Sequence, residues 1–112
     1  MKIYFNGNLC ESYEAKVSIM DRGYIFGDGI YEAFLVKNGK FIDFEPHIKR
    51  MKRSLEIVNI TLPEIDKIEA ISRDLLKLNS MQSALMYVQV TRGNFPTREH
   101  GMPHSSTPAV VI

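Results

Sequence analysis

Asp21-Arg22-Gly23-Tyr24-Ile25-Phe26-Gly27-Asp28-Gly29-Ile30-Tyr31-Glu32 is the stretch on which the reading of this chain turns. Three glycines in seven residues punctuate it, and each can adopt positive φ or let another backbone come close. The spacing is not a P-loop, because no Gly-Lys-Ser/Thr follows, and it is not the GxGxxG of a dinucleotide site. On its residues alone it reads as a tight loop feeding a strand that opens at Ile30. Asp21 and Asp28 flank the glycines and read as structural. Strands have period two, so Tyr31 and Glu32 point to opposite faces. One turns to the core or a cleft and the other turns away. Tyr31 either presents its phenol to a ligand or serves as amphipathic filler with its hydroxyl in water.

Upstream, Lys2 to Phe5 is strand-like, Asn6-Gly7 is a type I′ turn, and Leu9 to Glu11 is the return strand. Val17 to Met20 is expected as another short strand. Downstream, Ile30 to Val36, Asn38-Gly39 and Lys40 to Phe44 form a second hairpin. A helix is expected from Glu45-Pro46, with Ile48, Met51, Leu55 and Val58 on one face. Thr61 and Glu64 fit a capping box for a second helix, whose stripe is Ile65, Ile68, Ser72, Leu75 and Leu78. Ala84 to Arg92 is a strand, Gly93 to Ser106 a loop broken by Gly and Pro, and Thr107 to Ile112 a last strand. This order predicts an α+β two-layer domain with a mostly antiparallel sheet and two helices.

Composition narrows the function classes. The chain has 112 residues, enough for one domain, of which 45% are hydrophobic and 24% charged. Fourteen Lys and Arg against thirteen Asp and Glu give +1 at pH 7, which argues against a nucleic-acid or anionic-membrane binder. The single Cys10 excludes an internal disulfide framework and a CxxC site. No apolar run approaches a membrane span, and the N-terminus lacks a signal-peptide stretch, so a cytoplasmic protein is expected. The closing Pro-Ala-Val-Val-Ile run has no polar stop, which leads us to expect one domain of a longer protein.

Two further groups of side chains bear chemistry. His47 and Arg50, and Arg50 and Arg53, are i, i+3 neighbours on the basic helix face. That face either holds a phosphate, as a guanidinium does in bidentate fashion, or is simply solvated. In the loop Arg92 to His100, Arg98 and His100 are suited to binding a carboxylate jointly, or are plain loop residues. His100 and His104 make a poor metal pair, because Pro103 prevents a regular helix between them and no carboxylate completes a set, so no metal is expected.

Taken together, four motifs resemble the class IV (fold type IV) pyridoxal-phosphate aminotransferases across essentially the whole chain. They are the Asp21–Glu32 stretch, the Asn38-Gly39 hairpin with His47, Arg50, Met51 and Ser54, the strand end Val90-Thr91-Arg92-Gly93, and Arg98-Glu99-His100. The last is most similar to the D-amino-acid aminotransferase branch. The resemblance implies the N-terminal domain of that fold over residues 1–112, with pyridoxal 5'-phosphate as cofactor and amino acids and 2-oxo acids as substrates. It implies that Arg50 grips the cofactor phosphate and that Tyr31, Arg98 and His100 hold the substrate α-carboxylate. It further implies a homodimer, in which the arginine and histidine reach in from the neighbouring subunit. Glu32 occupies the motif's acidic position without an assigned role. The Schiff-base lysine of such enzymes lies in a C-terminal domain, and none of the eight lysines here stands in that context. The chain alone is therefore expected to be inactive, with no catalytic residue of its own. An aminodeoxychorismate lyase-like domain is the main alternative within the family. A non-catalytic anion-binding or dimerisation module is the alternative outside it.

Overall fold

A computed structural model describes residues 1–112. Six strands form one sheet: β1 (Lys2–Phe5), β2 (Asn8–Glu11), β3 (Gly29–Lys37), β4 (Lys40–Phe41), β5 (Ala84–Thr91) and β6 (Ala109–Val111). The order across the sheet is β2-β1-β6-β5-β3-β4, and every neighbouring pair is antiparallel. Three α-helices accompany it, α1 (Arg22–Phe26), α2 (Phe44–Val58) and α3 (Ile68–Leu78), with a 3₁₀ turn at Ile65–Lys67 leading into α3.

Both Asn-Gly turns form as their chemistry dictates. Asn6 and Gly7 have φ of 47° and 92°, and Asn38 and Gly39 have 50° and 72°, the paired positive values of a type I′ hairpin. The centre of the sheet is the β3–β5 pair, in register from Gly29↔Thr91 to Val36↔Ala84. Its inward positions, Phe34, Val36, Met86, Val88 and Val90, are buried beneath Met51 and Leu55 of α2 and Ile68, Leu75 and Leu76 of α3. Phe34 anchors this layer, with the rings of Phe41 and Phe44 edge-on at 5.5 and 5.2 Å. The opposite sheet face leaves Tyr31, Leu35, Leu85 and Tyr87 exposed.

The structure corrects the sequence reading in five places. Asp21–Gly29 is not all loop, because residues 22–26 form α1 and give the domain a third helix. Asp21 caps it by accepting from the Gly23 N–H at 2.7 Å, and Gly27 closes it in the left-handed region at φ 65°. Five residues are too few for hydrophobic periodicity to register. Val17 to Met20 is not a strand. β4 stops at Phe41 because Phe44 already starts α2. The Thr61–Glu64 capping box does not form, and Glu64 instead accepts a 3.4 Å bond from the Tyr4 hydroxyl. Within the predicted α3 stripe, Leu78 is exposed while Leu76 takes its place in the core. Gly29 leaves no room for a side chain: a Cβ there would lie 2.5 Å from the Val90 carbonyl oxygen.

Ser72 is fully buried in α3, and its hydroxyl has no hydrogen-bond partner. An unsatisfied buried hydroxyl costs about 1–3 kcal/mol, whereas alanine fills nearly the same space. Ser72→Ala is expected to raise stability by about 1 kcal/mol, read as a higher urea midpoint at unchanged slope.

Candidate functional site

Two charged clusters flank the start of β3. The first lies where β3 has no partner on its β4 side, since β4 pairs only with Val36 and Lys37. Here the alternation of the strand sends Glu32 inward, 3% exposed, and Tyr31 outward, 64% exposed. Arg50 and His47, one turn apart on α2, reach back to Glu32. Arg50 donates from Nε to Oε1 at 2.6 Å and from Nη2 to Oε2 at 2.8 Å, a bidentate fork. His47 Nδ1 lies 2.8 Å from Oε2. An ionised carboxylate only accepts, so Nδ1 carries the proton, and the 3.4 Å approach of Arg50 Nη2 to the same nitrogen is donor against donor. The bonds from Arg50 and His47 outweigh burial and hold the Glu32 carboxyl below its ordinary range. Arg50 is raised in turn, chiefly by Glu32 and to a smaller degree by the Tyr31 phenol.

The consequence is a cation in a fixed pose. Two of the three guanidinium nitrogens are tied to a buried carboxylate, while the side chain is 66% exposed and its Nη1 makes no bond within the chain. A guanidinium so held presents a pre-oriented donor edge to an anion. Nη1 of Arg50 is the donor that the pair leaves open to an anion such as a phosphate. Tyr31, the residue before Glu32 on the strand, turns to the other sheet face, its ring stacked on Tyr87 at 5.2 Å between centroids.

The second cluster ties three distant segments together. Asp28 accepts from Arg22 Nε at 2.8 Å and from Arg92 Nε and Nη2 at 2.7 and 3.0 Å. Burial pushes Asp28 up, but the bonds from Arg92 and Arg22 prevail and its pKa is lowered. Arg92 also donates to the carbonyls of Val58 and Asn59 at 2.7 and 3.1 Å. Those carbonyls end α2 and have no partner within it, so Arg92 serves as a C-terminal cap carrying the charge the helix dipole favours. Arg22 reaches the other way, donating from Nη1 to the Glu99 carbonyl at 2.7 Å.

Of the residues singled out in the sequence, Arg50 meets Glu32 on the helix side of β3, while Tyr31 turns to the opposite face of the same strand. Arg98 and His100 lie exposed on the loop, and no hydrogen bond or ion pair joins them to Arg50 or Tyr31. His100 instead rests on the Phe26 ring, 5.0 Å between centroids. Sequence reading left Glu32 without a role and did not find the Arg22–Asp28–Arg92 link. An acidic residue at an inward strand position was the available signal for Glu32. No local signal marks a pair 64 residues apart. No group of three or more His, Cys, Asp or Glu side chains is placed to hold a metal. No helix is long and apolar enough to cross a membrane.

Comparison with known proteins places this architecture. The amino-transferase class IV profile matches residues 29–112. A D-alanine aminotransferase of Staphylococcus haemolyticus is 38% identical over 112 residues, covering 99% of this chain and 39% of that protein. The chain thus spans about two-fifths of the length of such relatives. Among solved structures, a branched-chain amino acid aminotransferase of Escherichia coli superposes with TM-score 0.89 at 21% identity, over 98% of this chain and 38% of that one. A 4-amino-4-deoxychorismate lyase of Pseudomonas aeruginosa superposes with TM-score 0.78 at 22% identity, over 97% and 37%. These two likenesses are of fold, a mostly antiparallel six-stranded sheet with three helices, shared with the N-terminal domains of such enzymes. The profile match covers three-quarters of the chain and includes the Glu32–Arg50 site, and on that ground the chain belongs to the class IV amino-transferase family.

Proposed function

We propose that this chain is the N-terminal domain of a pyridoxal-phosphate-dependent transaminase that moves an amino group between D-amino acids and 2-oxo acids. The observation that carries this reading is the Glu32-locked guanidinium of Arg50 on the open edge of β3. In it Arg50 holds the cofactor phosphate, with Glu32 fixing its pose. When bound, the cofactor supplies the electron sink that lets a substrate Cα lose its proton. Tyr31, Arg98 and His100 hold the substrate α-carboxylate, Arg98 and His100 from the neighbouring subunit of a cytoplasmic homodimer. The 38% identity to a D-alanine aminotransferase supports D-amino acids as the substrate class. The lysine that such chemistry requires is not among the eight here, so the chain by itself is inactive. The sheet face that exposes Tyr31, Leu35, Leu85 and Tyr87 packs against the remainder of the enzyme.

Arg98→Ala in the full-length protein tests the carboxylate assignment. A lost charged hydrogen bond is worth about 1.5–3 kcal/mol, so KM for D-alanine is expected to rise about 10- to 100-fold, with cofactor absorbance unchanged. An unchanged KM removes Arg98 from the substrate site.

A further inference from the structure

The Gly93–Ser106 loop carries the two residues read above as the substrate-carboxylate trap, yet it is tied to the domain in very few places. Its first turn is held by the Arg22 N–H on the Gly93 carbonyl at 2.9 Å, and by the Phe95 N–H on the Met20 carbonyl at 3.4 Å. Beyond that, across residues 96–106, a single hydrogen bond reaches the loop. It is the 2.7 Å bond from Arg22 Nη1 to the carbonyl of Glu99. Glu99 stands between Arg98 and His100.

Arg22 is unusually well placed to hold that carbonyl still. Its guanidinium is buried, its Nε is fixed by Asp28, and its carbon lies 4.8 Å from the Phe26 ring centroid. The same ring receives His100. Asp28 is held in turn by Arg92, which is anchored on the end of α2. A continuous chain of hydrogen bonds therefore runs from the core helix through Arg92, Asp28 and Arg22 to the backbone between the two trap residues. Arg22 sits in α1, whose ends are set by the Asp21 cap and Gly27.

We infer that Arg22 is a positioning residue for substrate selection. Through Glu99 and Phe26 it sets the spacing and direction of Arg98 and His100, so that both meet one carboxylate. The inference rests on the reading of Arg98 and His100 as the carboxylate trap. Lysine at position 22 keeps a positive charge beside Asp28. Its single ammonium cannot span both Asp28 and the Glu99 carbonyl as a guanidinium does.

The test uses the full-length cofactor-loaded protein. Arg22→Lys is expected to raise KM for D-alanine about tenfold, near the loss of one charged hydrogen bond, with kcat and cofactor absorbance little changed. Hydrogen exchange of the amides at 97–102 is expected to speed up while exchange in β3 and β5 stays slow. Phe26→Leu keeps the Arg22 bonds, removes the ring under His100, and is expected to raise KM several-fold. It also serves if Arg22→Lys does not fold. Leu55→Ala, in the core, controls for a general loss of stability and is expected to lower Tm without moving KM. Unchanged KM and unchanged loop exchange in a folded Arg22→Lys protein overturn the inference. If Arg98→Ala also leaves KM unchanged, the carboxylate assignment itself has failed. If Arg98→Ala raises KM while Arg22→Lys does not, only the positioning role is lost.

Discussion

Arg50→Ala in the full-length protein is expected to weaken pyridoxal phosphate binding about 10- to 100-fold, the equivalent of one or two charged hydrogen bonds. Two effects add. The phosphate loses its guanidinium, and Glu32 is left buried with His47 alone. A buried carboxylate stripped of its main partner binds a proton more readily. Arg50→Lys separates the two effects: it keeps the charge near Glu32 but loses the fork of parallel bonds. Its binding is expected to fall between wild type and Arg50→Ala. Glu32→Gln leaves Arg50 charged but less firmly held, so a drop smaller than that of Arg50→Ala is expected. Cofactor titration followed by absorbance measures all three. Wild-type affinity in Arg50→Ala would place the phosphate elsewhere.

The largest stability effect is expected at Arg92. It is 3% exposed and makes four hydrogen bonds, two to Asp28 and two to the end of α2. Removing one member of a buried ion pair costs about 3–5 kcal/mol because the other charge stays buried without its full set of partners. Arg92→Ala is therefore expected to lose about that much, read from the urea midpoint. Arg73 provides the contrast. It pairs with Glu69 at i, i+4, but both side chains are about half exposed, so Arg73→Ala is expected to cost less than about 1 kcal/mol.

The pH dependence follows from the same pair. Asp28 and Glu32 have folded-state pKa values below their ordinary 3.8 and 4.5. The unfolded chain thus binds protons more readily than the folded one in the acid range. Their contribution to stability is present above those ordinary values and is lost as pH falls through the lower folded values. In Arg92→Ala the Asp28 pKa moves up, so the acid loss is expected to be shallower than in wild type. An equally steep acid limb in the variant would show that Asp28 is not the group responsible.

How much of this was legible in the sequence depends on distance along the chain. Asn6-Gly7 and Asn38-Gly39 announce their hairpins because the turn's backbone angles admit few residues. The apolar stripe of α2 is legible because Met51 and Leu55 fall on one face of a long helix. α1 escaped because a five-residue helix has no period, although its Asp21 and Gly27 caps are visible once the helix is known. The Thr61–Glu64 pattern fit a rule whose geometry the chain does not adopt, since α3 begins only at Ile68 after a 3₁₀ turn. The basic helix face left a phosphate site and a solvated face equally open for Arg50, and only the resemblance pointed to the phosphate. What makes Arg50 a fixed donor is Glu32, 18 residues earlier on a different element, and this pairing is a property of the fold. The Asp28–Arg92 link belongs to the same class: the two residues stand in separate motifs 64 residues apart, and neither motif reveals that they meet.

The central claim is that this domain serves an enzyme transferring the amino group of D-amino acids. The most direct measurement is pyruvate release by the full-length protein, saturated with pyridoxal phosphate, from D-alanine and separately from L-alanine, with a 2-oxo acid as acceptor. The account predicts pyruvate from D-alanine, dependent on the acceptor and strongly reduced in Arg98→Ala. Release from L-alanine alone, or from neither enantiomer, would contradict it.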